Sequence, residues 1–290
     1  MAPLSRSGPC VDRRNATDCR LVSDLGRDRA ILDPTSAATR LRVGRTAAPA
    51  TLEAQVSYLW SVHWRVDADH AQRVLPAPVM HLAAELREGA PRLVLTGVQR
   101  RIFTRTLAGT GHVVAAAFRP GGARAFLSCA AAALTDTEAP ASEVLRGSPD
   151  DRGVAASLLE PGRQQEELFA ELGEWLQTVD RTHDLRIDEV IGLAEQVEAD
   201  PSLTRAEHVA ALAGVSLRTL QRRFTDYVGV GPKWVVQRCR LLDVAAAAHS
   251  GEEVDWAALA VRLGYADQSH LIRAFTEVVG RSPAAYQRDS

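Results

Sequence analysis

Apolar positions fall into two regimes along the chain. From residue 57 to 66, Tyr58, Trp60, Val62, Trp64 and Val66 alternate with Ser57, Ser61, His63 and Arg65, the period-two pattern of a strand with one buried face. Shorter runs at 79–82, 93–98 and 112–118 are separated by Pro76, Gly89, Pro91, Gly109 and Gly111 and predict further strands closed by turns. Beyond them the period lengthens. Residues 119–122 (RPGG) predict a turn, and the alanine-rich run 123–133, with Phe126 and Leu127, predicts an apolar helix. Residues 164–178 place Leu168, Phe169, Leu172, Trp175 and Leu176 at helical spacing, with Glu166, Glu167, Glu171 and Glu174 off that stripe. The stripe either packs within its own domain or forms a dimer face. Residues 187–199 predict another helix, ended before Pro201. Residues 1–45, rich in Arg, Asp, Ser, Thr and Pro without a sustained period, predict a poorly ordered tail.

The C-terminal third repeats itself. Residues 209–224 (VAALAGVSLRTLQRRF) return in altered form as 259–275 (LAVRLGYADQSHLIRAF). In the first copy a helix can end on Gly214 and the next begin with Ser216 as N-cap; in the second, Gly264 and Asp267 take those places. Each copy closes with Phe, four residues, Gly, two residues and Pro: Phe224, Gly229, Pro232 and then Phe275, Gly280, Pro283. These are two helix-turn-helix units. Thr204 and Glu207 are spaced as a capping box opening the first unit. Pro232 suits the first turn of a helix through 234–248, a continuous linker between the units.

On these motifs, over about residues 203–286, the chain resembles the AraC/XylS family of transcription regulators. The most specific stretch is GYADQSHLIRAF at 264–275 with GRSP at 280–283; Leu271 and Ile272 depart mildly from the family's usual choices. The strand ending FRPGG, the alanine-rich run and LTD at 134–136 resemble the N-terminal domain found on many such regulators whose effectors are uncharacterised. The expected fold is an α+β N-terminal domain, a small antiparallel sheet or barrel plus helices, followed by an all-α C-terminal domain. The divisions are a tail at 1–45, a sensing or dimerising domain at 46–200 and the DNA reader at 201–290.

In a helix-turn-helix the second helix enters the major groove, with residues near its start meeting base edges. Leu217, Leu220, Phe224 and Tyr227 are expected inward in the first unit, and Leu271 and Phe275 in the second. That leaves Arg218, Thr219, Gln221 and Arg222, then Gln268, Ser269, His270 and Arg273, as candidate base contacts. Arg matches guanine O6 and N7, and Gln matches adenine N6 and N7. By family analogy Arg223, Lys233, Arg238, Arg240 and Arg281 are candidate phosphate contacts, adding affinity without sequence information. The resemblance implies double-stranded operator DNA as partner and RNA polymerase, a homodimer and a small effector as further ones. It also implies activation more often than repression. A ligand pocket is expected around Trp60, Trp64 and Phe118.

Composition changes this picture little. Over 290 residues the net charge is −2, while residues 201–290 carry 11 Arg plus Lys against 9 Asp plus Glu, a slight basic bias for the reader. Cys10, Cys19, Cys129 and Cys239 lack metal-ligand or disulfide spacing. No run is long enough for a membrane span, and residues 1–19 lack the apolar core of a secretory signal, so a cytoplasmic protein is expected. The enzyme alternative is a cupin-like, metal-dependent N-terminal domain. It would use His63, His70, His81 or His112, but these lack a ligand-spaced partner and no catalytic residue or cofactor is assigned. The other alternative is an N-terminal domain that only binds protein.

Overall fold

The computed structural model describes residues 40–147, 149–250 and 252–289. Six strands form one antiparallel sheet: β1 (Leu41–Ala47), β2 (Val56–Arg65), β4 (His81–Arg87), β5 (Ala90–Thr96), β7 (Thr110–Phe118) and β8 (Glu138–Pro140), in the order β1-β2-β7-β4-β5-β8. Strands β3 (His70–Val74) and β6 (Phe103–Leu107) pair as a separate ribbon. Helices follow: α1 (Ala141–Val144), α2 (Arg152–Leu158), α3 (Gln165–Thr178), α4 (Leu185–Ala199), α5 (Ala206–Leu212), α6 (Leu217–Tyr227), α7 (Pro232–His249), α8 (Trp256–Arg262), α9 (Gln268–Val279) and α10 (Pro283–Asp289). The α+β-then-helical order is the one expected.

One face of the sheet carries Leu59, Leu82, Leu93, Leu95, Val114, Ala116 and Phe118, all buried in the main core with Leu168, Leu172 and Leu176 of α3. Polar contacts pin the same layers. Leu93 N donates to the buried Asp151 carboxylate at 2.8 Å, and Ser61 Oγ donates to Gln165 Oε1 at 3.1 Å. The ribbon meets the opposite face, where Leu107 packs with Leu41, Val43, Val62 and Trp64, and Arg105 pairs with Glu85. The α3 stripe is therefore core. It is not an association face; only Trp175 stays half-buried, donating to Asp150 O at 3.1 Å.

Three expectations need correction. Residues 41–45 of the expected tail form most of β1, while 1–39, with Cys10 and Cys19, lie outside the described residues. The pattern hid β1 because Gly44 interrupts it and only Leu41 and Gly44 are buried. Residues 123–133 do not form a helix. They make two short 3-10 turns, Gly122–Ala125 and Ala131–Leu134, with Leu127 bridging to Leu145 and Ser128 N donating to Val144 O at 2.9 Å. Burying Phe126 and Leu127 from an irregular path overrides the helix propensity of the alanines. The capping box at Thr204 is not formed: α5 starts after Arg205 with no side-chain cap, and Glu207 is exposed.

The buried core does not break at Pro201. The main cluster continues from the sheet through Leu203, Val209, Leu220, Phe224, Val228, Val230, Val235 and Cys239. A second cluster begins with Leu241 and holds Val244, Leu259, Leu271, Phe275 and Tyr286. Linker helix α7 is shared by the two.

Candidate nucleic-acid interface

Local chemistry builds both helix-turn-helix units. Gly214 (φ 62°) and Gly264 (φ 74°) end α5 and α8 in the left-handed region, where a side chain would be strained. Ser216 Oγ accepts from Thr219 N at 3.2 Å to open α6, and Asp267 Oδ1 accepts from His270 N at 2.7 Å to open α9. Leu220 and Phe224 are fully buried beneath α6, as are Leu271 and Phe275 beneath α9. The opposite faces are consequently open and polar.

Arg218, Gln221 and Arg222 are exposed on α6, and Gln268, Ser269, His270 and Arg273 on α9. Each set gathers near the start of its helix, as base reading requires. Two of the candidates are already engaged. Thr219 is half-buried and its hydroxyl meets Ser216 Oγ at 2.9 Å, so it belongs to the cap. His270 Nδ1 accepts from Ala266 N at 3.3 Å and its ring meets Tyr265 edge-on at 5.4 Å, so the turn fixes its orientation.

The candidate phosphate contacts do not share one environment. Lys233 is exposed in the first turn of α7. Arg281 is half-buried with its guanidinium 4.7 Å from the Tyr286 ring centre. Arg223 pairs with Glu189 of α4 at 2.9 Å. Arg238 is a correction: it is 7% exposed, lies 4.8 Å over the Trp234 ring and donates to Arg100 O at 3.3 Å. Burial pushes its pKa down to about 10. It is not on an open surface.

The first unit is held against the N-terminal half by further contacts at the far end of α6. Tyr227 OH donates to Asp184, whose carboxyl is held down at about 2 by hydrogen bonds from Arg186 and then Tyr227. Thr135 Oγ1 donates to Gly229 O at 2.6 Å. The second unit meets the N-terminal half chiefly through the ribbon: Arg73 donates to Val279 O at 3.1 Å, and Leu75 and Ile102 join the second core.

Arg240, expected as a phosphate contact, is a second correction: it is buried and engaged inside the protein. It is 2% exposed on α7, donates to Val197 O and to Asp200 O (2.9 Å) at the end of α4, and pairs with Asp243 at 2.8 Å. A signal existed. Arg240 stands four residues from both Val236 and Val244, inside the buried stripe of its helix.

The expected ligand pocket is not assembled. Trp60 opposes Ala115 and Trp64 opposes Gly111, whereas Phe118 has the opposite parity on β7. Phe118 therefore projects from the other face of the sheet, into the core against Phe126. Trp60 Nε1 donates instead to His81 Nδ1 at 3.2 Å, and Trp64 Nε1 to Ala108 O at 3.2 Å. Burial lowers the His81 pKa to about 4. Among the described residues no group of three His, Cys, Asp or Glu could hold a metal, no helix is long and apolar enough to cross a membrane, and neither Cys129 nor Cys239 is in a disulfide.

A helix-turn-helix domain family matches residues 209–289, and a domain of unknown function (DUF6597) matches residues 45–140. A putative AraC-like transcription regulator from Streptomyces antibioticus is 32% identical over 204 residues, 62% of this chain and 66% of that protein. The chain thus spans just under two thirds of the relative's length. A ToxT structure from Vibrio cholerae is 12% identical, with a TM-score of 0.41 over 86% of this chain and 98% of that one. Another, of ToxT bound to (E)-4-(8-methylnaphthalen-1-yl)but-3-enoic acid, is also 12% identical, with a TM-score of 0.37 over 86% and 98%.

Proposed function

We propose that the protein is a sequence-specific, DNA-binding transcription regulator of the AraC type, controlled through its N-terminal domain, with the helix-turn-helix match over residues 209–289 as its reader. The observation that carries this reading is the repeated geometry: two capped helices present open polar faces at matching places of a tandem repeat, joined by one 18-residue helix. Arg222 and Arg273 are the principal base readers, with Arg218, Gln221, Gln268 and Ser269 beside them. Two such helices meet successive major grooves, roughly 34 Å apart on one face of the duplex. Because their sequences differ, the operator is directional.

The N-terminal domain acts on the reader through shared side chains. Arg223 can pair with Glu189 or with a phosphate, but not fully with both, so any event that moves α4 changes how strongly the reader grips DNA. That is a coupling free energy between two sites. The protein is not an enzyme in this reading; it works in the cytoplasm, more as an activator than a repressor, with RNA polymerase, a second copy or an effector as further partners. The Streptomyces relative supports the regulator assignment.

The test is selection of bound duplexes from a random pool by the full chain. A directional motif with two elements about one helical turn apart is expected. Binding that is salt-sensitive but blind to sequence, or no binding, would sink the proposal.

A further inference from the structure

The start of the first unit, the middle of the linker helix and the turn of the second unit meet at one place. Residues 200–205 lead from α4 into α5, and Arg240 of α7 holds their beginning through Asp200 O at 2.9 Å together with Val197 O. The same loop then brings Thr204 against Gly264, the turn glycine of the second unit. A β-carbon placed on Gly264 would lie 2.4 Å from Thr204 Cγ2, so the Thr204 side chain rests on the Gly264 backbone where only glycine leaves room for it. The adjacent Tyr265 is enclosed near Arg238, Arg240 and Asp243, with burial pushing its phenol up to about 12. Asp243 in turn fixes the Arg240 guanidinium at 2.8 Å.

Each member suits this position for a physical reason. A guanidinium can donate to two carbonyls and a carboxylate at once in a fixed plane, which an ammonium on a flexible stem cannot do. Its three acceptors belong to two elements: the end of α4 and the body of α7. Rotation of α7 about its own axis would break the two bonds to the end of α4 and leave the buried guanidinium with Asp243 of its own helix alone. Thr204 against Gly264 blocks the remaining freedom, a tilt of the second unit toward the first. Arg240, Thr204 and Gly264 belong to neither α6 nor α9.

Resting on the DNA-reading proposal above, we infer that Arg240 and the Thr204–Gly264 contact are positioning residues for specificity: they set the distance and rotational phase between α6 and α9, and so the spacing between the two operator elements. They touch no base. Their effect is on which spacing is accepted, because one base pair of added spacer moves the second element about 3.4 Å and rotates it about a tenth of a turn.

The experiment measures binding of the full chain to duplexes carrying the selected elements, with the spacer shortened or lengthened by one to three base pairs. The wild-type chain is expected to favour one spacing by about tenfold over its neighbours, in the range of a single mismatch. Arg240→Met and Thr204→Ala are expected to flatten that preference to about threefold or less, while base preference within each element stays as it was. A merely structural role would lower affinity at every spacing alike. Circular dichroism and thermal unfolding report whether each variant folds; if Arg240→Met does not, Thr204→Ala alone decides, since it removes only Oγ1 and Cγ2. Unchanged spacing profiles in the folded variants, or a wild-type chain indifferent to spacing, overturn the inference and leave the regulator reading intact. Absence of sequence-specific binding by the wild-type chain overturns the regulator reading itself.

Discussion

The two helix-turn-helix units have the same punctuation and different neighbours. In the first, Leu220, Phe224, Val228 and Val230 belong to the core that also contains Leu59, Phe118 and Leu172. In the second, Leu271, Phe275 and Tyr286 pack with Leu259 and the latter half of α7, and among the described residues of the N-terminal half only Leu75 and the partly buried Ile102 join them. A repeat at the level of sequence has thus become one unit fused to the sheet domain and one nearly self-contained. The difference teaches where control can act. The N-terminal half touches the first unit through Glu189, Asp184 and Thr135, and touches the end of α9 through Arg73 of the ribbon.

The largest test of that contrast removes the matching phenylalanines. Phe224→Ala and Phe275→Ala should each cost about 3–5 kcal/mol locally. Phe224→Ala should lower the unfolding temperature of the sheet domain too, whereas Phe275→Ala should leave it in place. Hydrogen exchange of β2 and β7 amides distinguishes them; equal loosening of the sheet by both variants would break the comparison.

Acid offers the next largest effect. His81 has its folded-state pKa lowered from 6.5 to about 4 by burial, so its stabilising contribution is present above pH 6.5 and is lost as the pH falls toward 4. The imidazole keeps some accessible surface, which makes about 3 kcal/mol an upper figure. Unit one should loosen together with the sheet over that interval, and unit two should follow less. His81→Leu should flatten the slope of unfolding free energy between pH 6.5 and 4, read from denaturant titrations.

Base reading sharpens the contrast from the other side. Arg222→Ala and Arg273→Ala should each cost about 1–3 kcal/mol of specific binding and relax preference only in that unit's element. Repeated duplex selection with each variant checks this, and relaxation of both elements by one substitution would contradict independent reading. The smallest effect concerns Glu189. Glu189→Gln should change stability by no more than about 1 kcal/mol, as for an exposed ion pair. It should also release Arg223 and steepen the salt dependence of DNA binding by about one counterion. An unchanged salt slope would remove Arg223 from the phosphate contacts.

Much of the reader was legible because its signals are local. Gly214 with Ser216, and Gly264 with Asp267, specify turn and cap within three residues, and Leu220, Phe224, Leu271 and Phe275 declare their inward face by helical spacing. The open face that remains, with Arg218, Arg222 and Arg273, follows from the same spacing. The strands at β2 and β7 were legible as strands, but their faces were not: Leu59 and Ser61 turn into the core while Tyr58, Trp60, Val62 and Trp64 stay half-buried, and β7 is buried without a break from Val114 to Phe118. The polar ribbon of β3 and β6 was not legible, because neither strand has a strongly apolar face and each is defined only by its partner.

What the chain determined by itself is the order of sheet and helices, the tandem repeat with its caps, and the polarity of each recognition helix, because these depend on chemistry within a few residues. Only the tertiary structure decided which charges stay in water. Arg222 and Arg238 are alike in sequence, but Arg238 lies under the loop of Arg100 and beside Trp234 while Arg222 does not. It likewise separated Phe118 from Trp60, because the register of β2 on β7 assigns each side chain to a face, and it drew the first unit into the sheet domain's core, because burial is settled by what each face meets once the chain has closed on itself.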